Sequence, residues 1–154
     1  MIYADPSFLC SLYGWDGNTQ TAQATFARDA RRPLFYTPWQ RLEVRNAIRL
    51  AVFKLKKAGE VVPFQPGNVF KRINADLAIG RLRQDAPDWD QTASLAEDLS
   101  EEHTEKLGAA AVDLWHVSAA LLLHADTFWT FDEVQCALAQ AVGKFRHVPK
   151  LPTA

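Results

Sequence analysis

The sequence predicts an α/β fold, namely a three-layer α/β/α sandwich around a mostly parallel central sheet. Short segments of apolar and β-branched residues alternate along the chain with longer segments of helical periodicity, as strands alternate with crossover helices in a parallel sheet. Helices cover both faces of such a sheet, so the alternation indicates three layers. A chain of 154 residues with 48% hydrophobic composition suits one domain, which we assign to residues 1–148 with a C-terminal tail at 149–154.

Three segments have the character of strands. Residues 1–4 are apolar and end before Asp5, residues 34–37 end before a proline, and residues 127–131 are rich in threonine and aromatic side chains. Residues 85–90 are predicted to be a loop or an edge segment. The helices are predicted at residues 8–13, 19–31, 39–58, 68–82, 92–108, 112–123 and 133–142, with Thr92 as the N-cap of the fifth.

Composition excludes a membrane span, because the longest apolar stretch, Ala119 to Leu123, is far short of the roughly 20 residues that a bilayer requires. The first basic residue is Arg28, so the charged front of a secretory signal is missing. We therefore expect a cytoplasmic protein with no membrane partner. Cys10 and Cys136 both lie in apolar segments, which favours buried free thiols over a disulfide.

The net charge of −1 conceals a strong asymmetry between the two halves of the chain. Residues 1–84 carry +7 and residues 85–154 carry −8. Such a division indicates contact with a polyanion, with solvated helix faces as the alternative. The arginines that we consider candidates for contacts with backbone phosphates are Arg28, Arg31, Arg32, Arg45 and Arg49.

Four acidic residues are placed where a parallel sheet collects its ligands. Asp5 and Asp132 each follow a predicted strand, Asp113 begins an apolar helix, and Glu43 is the only acidic residue of a basic helix. Each has an ordinary alternative, since aspartates often cap helices and Glu43 could pair with a neighbouring arginine. Clustered carboxylates favour a hard cation such as Mg²⁺ or Mn²⁺, because they would otherwise repel one another.

Four segments also carry a family resemblance through their order and spacing. They are Met-Ile-Tyr-Ala-Asp5-Pro-Ser7, Leu42-Glu43, Asp113-Leu-Trp-His116-Val-Ser-Ala-Ala and Thr130-Phe-Asp132. Together they resemble the PIN-domain ribonucleases, and within them the VapC-type toxins of bacterial toxin–antitoxin pairs. No single segment is specific, residues 61–90 are not matched, and Pro6 stands where these toxins usually have threonine.

The resemblance implies a PIN-like fold, an endoribonuclease activity and a set of site residues. Asp5, Glu43, Asp113 and Asp132 would be the catalytic quartet that binds Mg²⁺ or Mn²⁺, and Ser7 and Thr130 would be supporting hydroxyls. His116 lies three residues after Asp113 on the same helix face and is a further supporting candidate, with a neutral core histidine as the alternative.

The resemblance also implies partners, which are an RNA substrate, a second copy of the chain and a small antitoxin. A groove for the antitoxin is predicted at Phe8, Leu9, Leu12 and Tyr13 with Trp15, and at the start of the helix that Trp39 begins, with core packing as the alternative. Trp15 and Trp39 are also candidates for stacking on RNA bases. Two other functions stay open: a degenerate member that binds RNA or a partner without cutting, and a DNA nuclease or phosphohydrolase on the same scaffold.

Overall fold

The computed structural model describes residues 1–153, in which four parallel strands lie between two layers of helices. The strands are β1 (Ile2–Ala4), β2 (Leu34–Phe35), β3 (Leu82–Arg83) and β4 (Thr127–Trp129), in the order β3-β2-β1-β4. The helices are α1 (Pro6–Tyr13), α2 (Thr19–Arg28), α3 (Pro38–Lys57), α4 (Pro66–Ala78), α5 (Trp89–Leu107), α6 (Ala111–Leu122) and α7 (Glu133–Val142). No helix among these residues is long and apolar enough to span a membrane.

The alternation of side chains along β1 divides the hydrophobic core into two parts. Ile2 and Ala4 pack with α1 to α4, whereas Tyr3, between them, packs with α5 to α7. Successive residues of a strand point to opposite faces of the sheet. All three side chains are completely buried, because helices cover both faces. The predicted three-layer α/β/α sandwich is therefore confirmed.

The sheet contains a strand that the sequence analysis did not predict. Residues 79–82 were expected to continue the fourth helix, but α4 ends at Ala78 and Gly80 takes a left-handed conformation with φ of 75°. Gly80 turns the chain so that Leu82, 2% exposed, pairs with Leu34 of β2. Tertiary pairing thus overrides the local helical periodicity here.

Two predicted helix boundaries were wrong, and four of the six side chains of the predicted groove pack in the core, which was the alternative, whereas Trp15 is 68% exposed and Trp39 is half-buried. The second helix ends at Arg28 rather than at residue 31, and α5 begins earlier than expected because Asp88, not Thr92, accepts the capping hydrogen bond, from the Gln91 amide. The four side chains of the predicted groove that belong to the core are at most 3% exposed. They are Phe8, Leu9, Leu12 and Tyr13.

The C-terminal residues and the cysteines can be compared with expectation. Within the predicted tail 149–154, Leu151 is buried in the core beside α1 to α4, and Ala154 lies outside the described residues.

Cys10 and Cys136 are free thiols, as predicted. Burial and, to a lesser extent, the nearby carboxylates raise the pKa of Cys10 to about 12, so this thiol stays protonated.

The order of the strands places a crevice between β1 and β4. The chain passes from β1 to β2 and β3 through helices on one face, and then crosses to β4 through α5 and α6 on the other face. In open α/β sheets, ligands bind outside the carboxyl ends of the strands at such a reversal. Asp5 follows β1 and Thr130 follows β4, so both residues lie at this crevice.

Candidate active site

Asp5 is a buried carboxylate at the carboxyl end of β1. It caps α1, and its Oδ1 accepts hydrogen bonds from the Phe8 amide (2.9 Å) and the Ser7 hydroxyl (2.7 Å). The side chain is 3% exposed, and no lysine or arginine within residues 1–153 forms an ion pair with it. Burial raises the pKa of Asp5, while these hydrogen bonds act in the opposite direction. A buried carboxylate in this state calls for a cation.

The hydroxyl groups of Ser7 and Thr130 connect the ends of β1 and β4. Their oxygens are 3.4 Å apart, and the Ser7 Oγ also accepts a hydrogen bond from the Phe131 amide at 3.0 Å. The Thr130 Oγ1 accepts one from the Asp132 amide at 2.9 Å. The two predicted supporting hydroxyls therefore lie together, between Asp5 and Asp132.

Gln135 links Asp113 with Asp132, and the sequence analysis missed it. Its backbone N–H donates a hydrogen bond to Asp132 Oδ1 at 2.9 Å, and its side-chain Nε2 lies 3.4 Å from Asp113 Oδ1. The sequence contained a signal for this role. Gln135 is the third residue after Asp132, the N-cap of α7, and a glutamine at this position commonly folds back toward the start of its helix. Both aspartates also keep their ordinary capping roles, since Asp113 Oδ2 accepts from the Ala110 amide.

Glu43 faces the protein interior rather than a surface arginine. Its Oε2 lies 2.8 Å from Nε2 of His116, which is 1% exposed, but the contact lacks hydrogen-bond geometry. Nδ1 of His116 lies 2.8 Å from the hydroxyl of Tyr3 in β1. Burial raises the pKa of Tyr3 well above its ordinary value, and the charges of Asp5 and Glu43 raise it further. The side chain of Glu43 in α3 thus meets that of His116 in α6.

The donor set fits a hard cation better than a zinc ion. No group of three or more His, Cys, Asp or Glu side chains within the described residues is arranged to hold a metal ion. Asp5, Asp113 and Asp132 are linked through Ser7, Thr130 and Gln135, whereas Glu43 contacts His116. Mg²⁺ is usually held by only one or two carboxylates, with waters and substrate phosphates completing its shell. The buried, unpartnered Oε2 of Glu43 and the buried Asp5 are suitable oxygen donors for it.

The candidate arginines differ in how free their guanidinium groups are. Arg45 and Arg49 each lie 5.0 Å from the centre of the Phe70 ring, on the same helix as Glu43, and Arg49 is exposed. Arg28 and Arg31 are also exposed. Arg32 instead contacts the Asp126 carboxylate, which also binds the terminal ammonium group. Arg32 therefore has a structural partner.

Replacing Arg32 with glutamine should lower the free energy of unfolding by about 0.5–1 kcal/mol, the usual value for a partly exposed ion pair. Burial alone would raise the pKa of Asp126, but hydrogen bonds and the charges of the terminal ammonium and Arg32 hold it at about 2. The contribution of this pair should be complete above pH 4 and disappear as the pH falls to 2. Urea unfolding at pH 7 and pH 2 measures it. The exposed Arg31→Gln serves as the control, and an equal loss at both pH values would contradict the assignment.

Neither a protein-family model nor a curated protein sequence matches the chain. A comparison of the fold with solved structures does find a match. The chain is similar to the crystal structure of VapC20 of Mycobacterium tuberculosis, a toxin that cleaves the sarcin–ricin loop. The TM-score is 0.62 at 16% sequence identity, over 89% of this chain and 95% of that one. The chain therefore has the PIN-domain fold of a VapC-type toxin.

Proposed function

We propose that this chain is a Mg²⁺- or Mn²⁺-dependent endoribonuclease and the toxin of a type II toxin–antitoxin pair, acting in the cytoplasm. The observation that carries the proposal is the buried Asp5 at the β1–β4 crevice, held by Ser7 beside Thr130 and without a basic partner among the described residues. The fold shared with an RNA-cleaving toxin supports the same function.

The site residues have different proposed roles in the hydrolysis of a phosphodiester bond. Asp5, Glu43, Asp113 and Asp132 would hold the divalent cation, which when bound stabilises the charge of an in-line displacement and makes water easier to ionise. Ser7 fixes the orientation of the Asp5 carboxylate through its hydroxyl. His116 positions Glu43, and Gln135 sets Asp113 relative to Asp132.

RNA is the proposed substrate, and α3 is the proposed path of its backbone. Arg45 and Arg49 are one helical turn apart on α3, but they follow Glu43 by two and six residues and therefore lie on a different face of the helix. They would bind phosphates of the flanking RNA rather than the phosphate at the carboxylates. Both guanidinium groups are held over Phe70, which reduces the entropy lost on binding a phosphate. The basic half of the chain supports this path.

The Arg49→Gln variant should bind single-stranded RNA with a weaker salt dependence than the wild type. Each phosphate contact on a single strand contributes about −0.7 to the slope of log K against log salt concentration. Fluorescence anisotropy between 50 and 300 mM KCl measures this slope. Lys57→Gln, at the far end of α3, is the matched control and should keep the wild-type slope. An unchanged slope for Arg49→Gln would remove this residue from the RNA path.

A cleavage assay on the purified chain tests the proposal directly. RNA containing structured loops should be cut at internal positions in the presence of Mg²⁺ or Mn²⁺, and DNA of the same sequence should not. Cleavage of the DNA instead would favour the DNA-nuclease alternative. Expression of the chain alone should slow growth, and co-expression of its antitoxin should restore it.

A second candidate function, binding of RNA or a protein without cleavage, is favoured by one observation. No three acidic, histidine or cysteine side chains among the described residues are arranged to hold a metal ion together. RNA binding without cleavage over a range of Mg²⁺ and Mn²⁺ concentrations would select this candidate.

The proposed protein partners are a small antitoxin and a second copy of the chain. Because Phe8, Leu9, Leu12 and Tyr13 of the predicted groove are buried in the core, exposed apolar side chains on α3 offer an alternative contact surface. Leu42 and Phe53 are 58% and 61% exposed. Size-exclusion chromatography with light scattering, with and without the antitoxin, measures both associations.

A further inference from the structure

Three tryptophans from three different helices form one aromatic cluster, which we call the tryptophan cluster. It consists of Trp39 in α3, Trp89 in α5 and Trp115 in α6. The ring centres are 6.2 Å apart for Trp39 and Trp89, 6.1 Å for Trp39 and Trp115, and 5.2 Å for Trp89 and Trp115. The residues are distant in sequence, so only the fold brings them together.

The tryptophan cluster adjoins the acidic site. Trp39 and Glu43 are four residues apart on α3, which places them on one helix face about 6 Å apart along the axis. Trp115 directly precedes His116 on α6, and His116 contacts Glu43. The contacts between α3 and α6 thus include both an aromatic pair and the Glu43–His116 pair, one helical turn apart.

The cluster is not simply part of the hydrophobic core. Trp89 is 46% exposed, and Trp39 and Trp115 are half-buried, whereas Trp129 in the sheet is 1% exposed. The indole nitrogen of Trp39 is buried and has no hydrogen-bond partner. Buried indole N–H groups usually find a partner, but this nitrogen meets none among residues 1–153 and faces no solvent.

An open groove lies beside the N-terminal turn of α3, on which Trp39 is placed. It has a volume of about 550 Å³, and Pro38 and Arg41 contribute to its wall, whereas none of the three tryptophans lines it. Gln84 and Asp85, near the carboxyl end of β3, line the opposite part. The exposed Arg41 guanidinium can bind a phosphate, while the amide and carboxylate can accept or donate hydrogen bonds.

We propose that the tryptophan cluster is a stacking platform for an unpaired nucleobase of the RNA, next to the phosphate that is cleaved. The proposal rests on the proposed ribonuclease function and adds how the substrate is held. Indole rings stack on any base, so the platform recognises unpaired nucleotides rather than a sequence. Loops and single strands would bind, because paired bases have no free face to offer.

The test compares two oligonucleotides of equal charge, a single-stranded 12-nucleotide RNA and a 12-unit oligomer with abasic sugars. Both carry fluorescein, and all proteins carry Asp132→Asn to suppress cleavage. The parent protein should bind the RNA roughly tenfold more tightly than the abasic oligomer, in line with the usual strength of base–aromatic stacking. Trp89→Leu should remove most of this preference and leave the salt slope unchanged, because a leucine loses stacking but no phosphate contact.

Two variants make the result specific. Trp89→Phe keeps an aromatic face and should keep most of the preference, and Phe53→Leu removes an exposed aromatic side chain outside the cluster and should keep all of it. Quenching of tryptophan fluorescence by the RNA, smaller for the abasic oligomer, is an independent readout that needs no cluster substitution.

The outcomes separate this proposal from the proposed function. If the wild-type chain cleaves RNA with Mg²⁺ while the Asp132→Asn parent binds both oligomers equally, the platform alone is overturned. An RNA preference retained by folded Trp89→Leu, or RNA binding without quenching, also overturns it. A chain that neither binds nor cleaves RNA overturns both proposals.

Discussion

The Asp5→Asn variant is expected to cleave RNA roughly a thousandfold more slowly than the wild type at saturating Mg²⁺. Loss of a carboxylate that holds the cation removes several kcal/mol of transition-state stabilisation, and each 1.4 kcal/mol corresponds to a factor of ten in rate. The capping contact should survive, because the asparagine oxygen can still accept from the Phe8 amide. Single-turnover cleavage measures the effect on the chemical step.

The same variant should unfold at a higher temperature than the wild type at pH 7 without divalent cations. Burial raises the pKa of Asp5 in the folded state, so its ionised form opposes folding above that pKa. The advantage of Asp5→Asn should therefore be present at neutral pH and disappear as the pH falls below about 4, where the unfolded carboxylate is protonated as well. Circular dichroism melts at pH 7 and pH 3.5 measure the difference.

Asp98→Asn is the matched control for both measurements, since Asp98 is an exposed aspartate in α5. It should change neither the cleavage rate nor the melting temperature by much. A rate for Asp5→Asn within tenfold of the wild type would exclude Asp5 from the catalytic site.

Removal of divalent cations with EDTA should abolish cleavage, and Mg²⁺ or Mn²⁺ should restore it. All the proposed ligands are carboxylate oxygens, which favour these ions over zinc. Cleavage assays with a range of metal concentrations measure the requirement, with ionic strength held constant by KCl. Undiminished cleavage in excess EDTA would rule out the metal-dependent mechanism.

The cation should also stabilise the folded chain. A ligand at 100 times its dissociation constant adds about 2.7 kcal/mol, which corresponds to roughly 5–10 °C in melting temperature for a domain of this size. The shift should be present in the wild type and in Asp98→Asn, and strongly reduced in Asp5→Asn. Equal shifts in all three proteins would place the binding site elsewhere.

The secondary structure was predictable wherever local signals agreed with packing. The Asp5-Pro6 pair before α1, Pro38 after Thr37, and Gly143 after α7 mark boundaries that the structure also has. The boundaries failed where a neighbouring segment decided the outcome. Leu82 belongs to a strand because β2 offers it a partner, and no local periodicity carries that information.

The positions of the acidic residues at one edge of the sheet were predictable, but the connections between them were not. The strand ends that precede Asp5 and Thr130 can be recognised from composition, and parallel strands bring their carboxyl ends to the same edge. The links through Gln135 and through the Glu43–His116 contact depend on how α3, α6 and α7 pack. Their use as a metal site stays a prediction.

The sequence by itself determined the fold class, the free thiols and the candidate carboxylates, because these follow from periodicity, composition and the ends of strands. Only the tertiary structure decided that the side chains from Phe8 to Tyr13 are core, that Arg32 pairs with Asp126, and that three tryptophans meet beside Glu43. The physical reason is the large separation along the chain between the residues that interact. Burial and pairing depend on residues that are tens of positions away in the chain, and local patterns do not specify which distant side chains will meet.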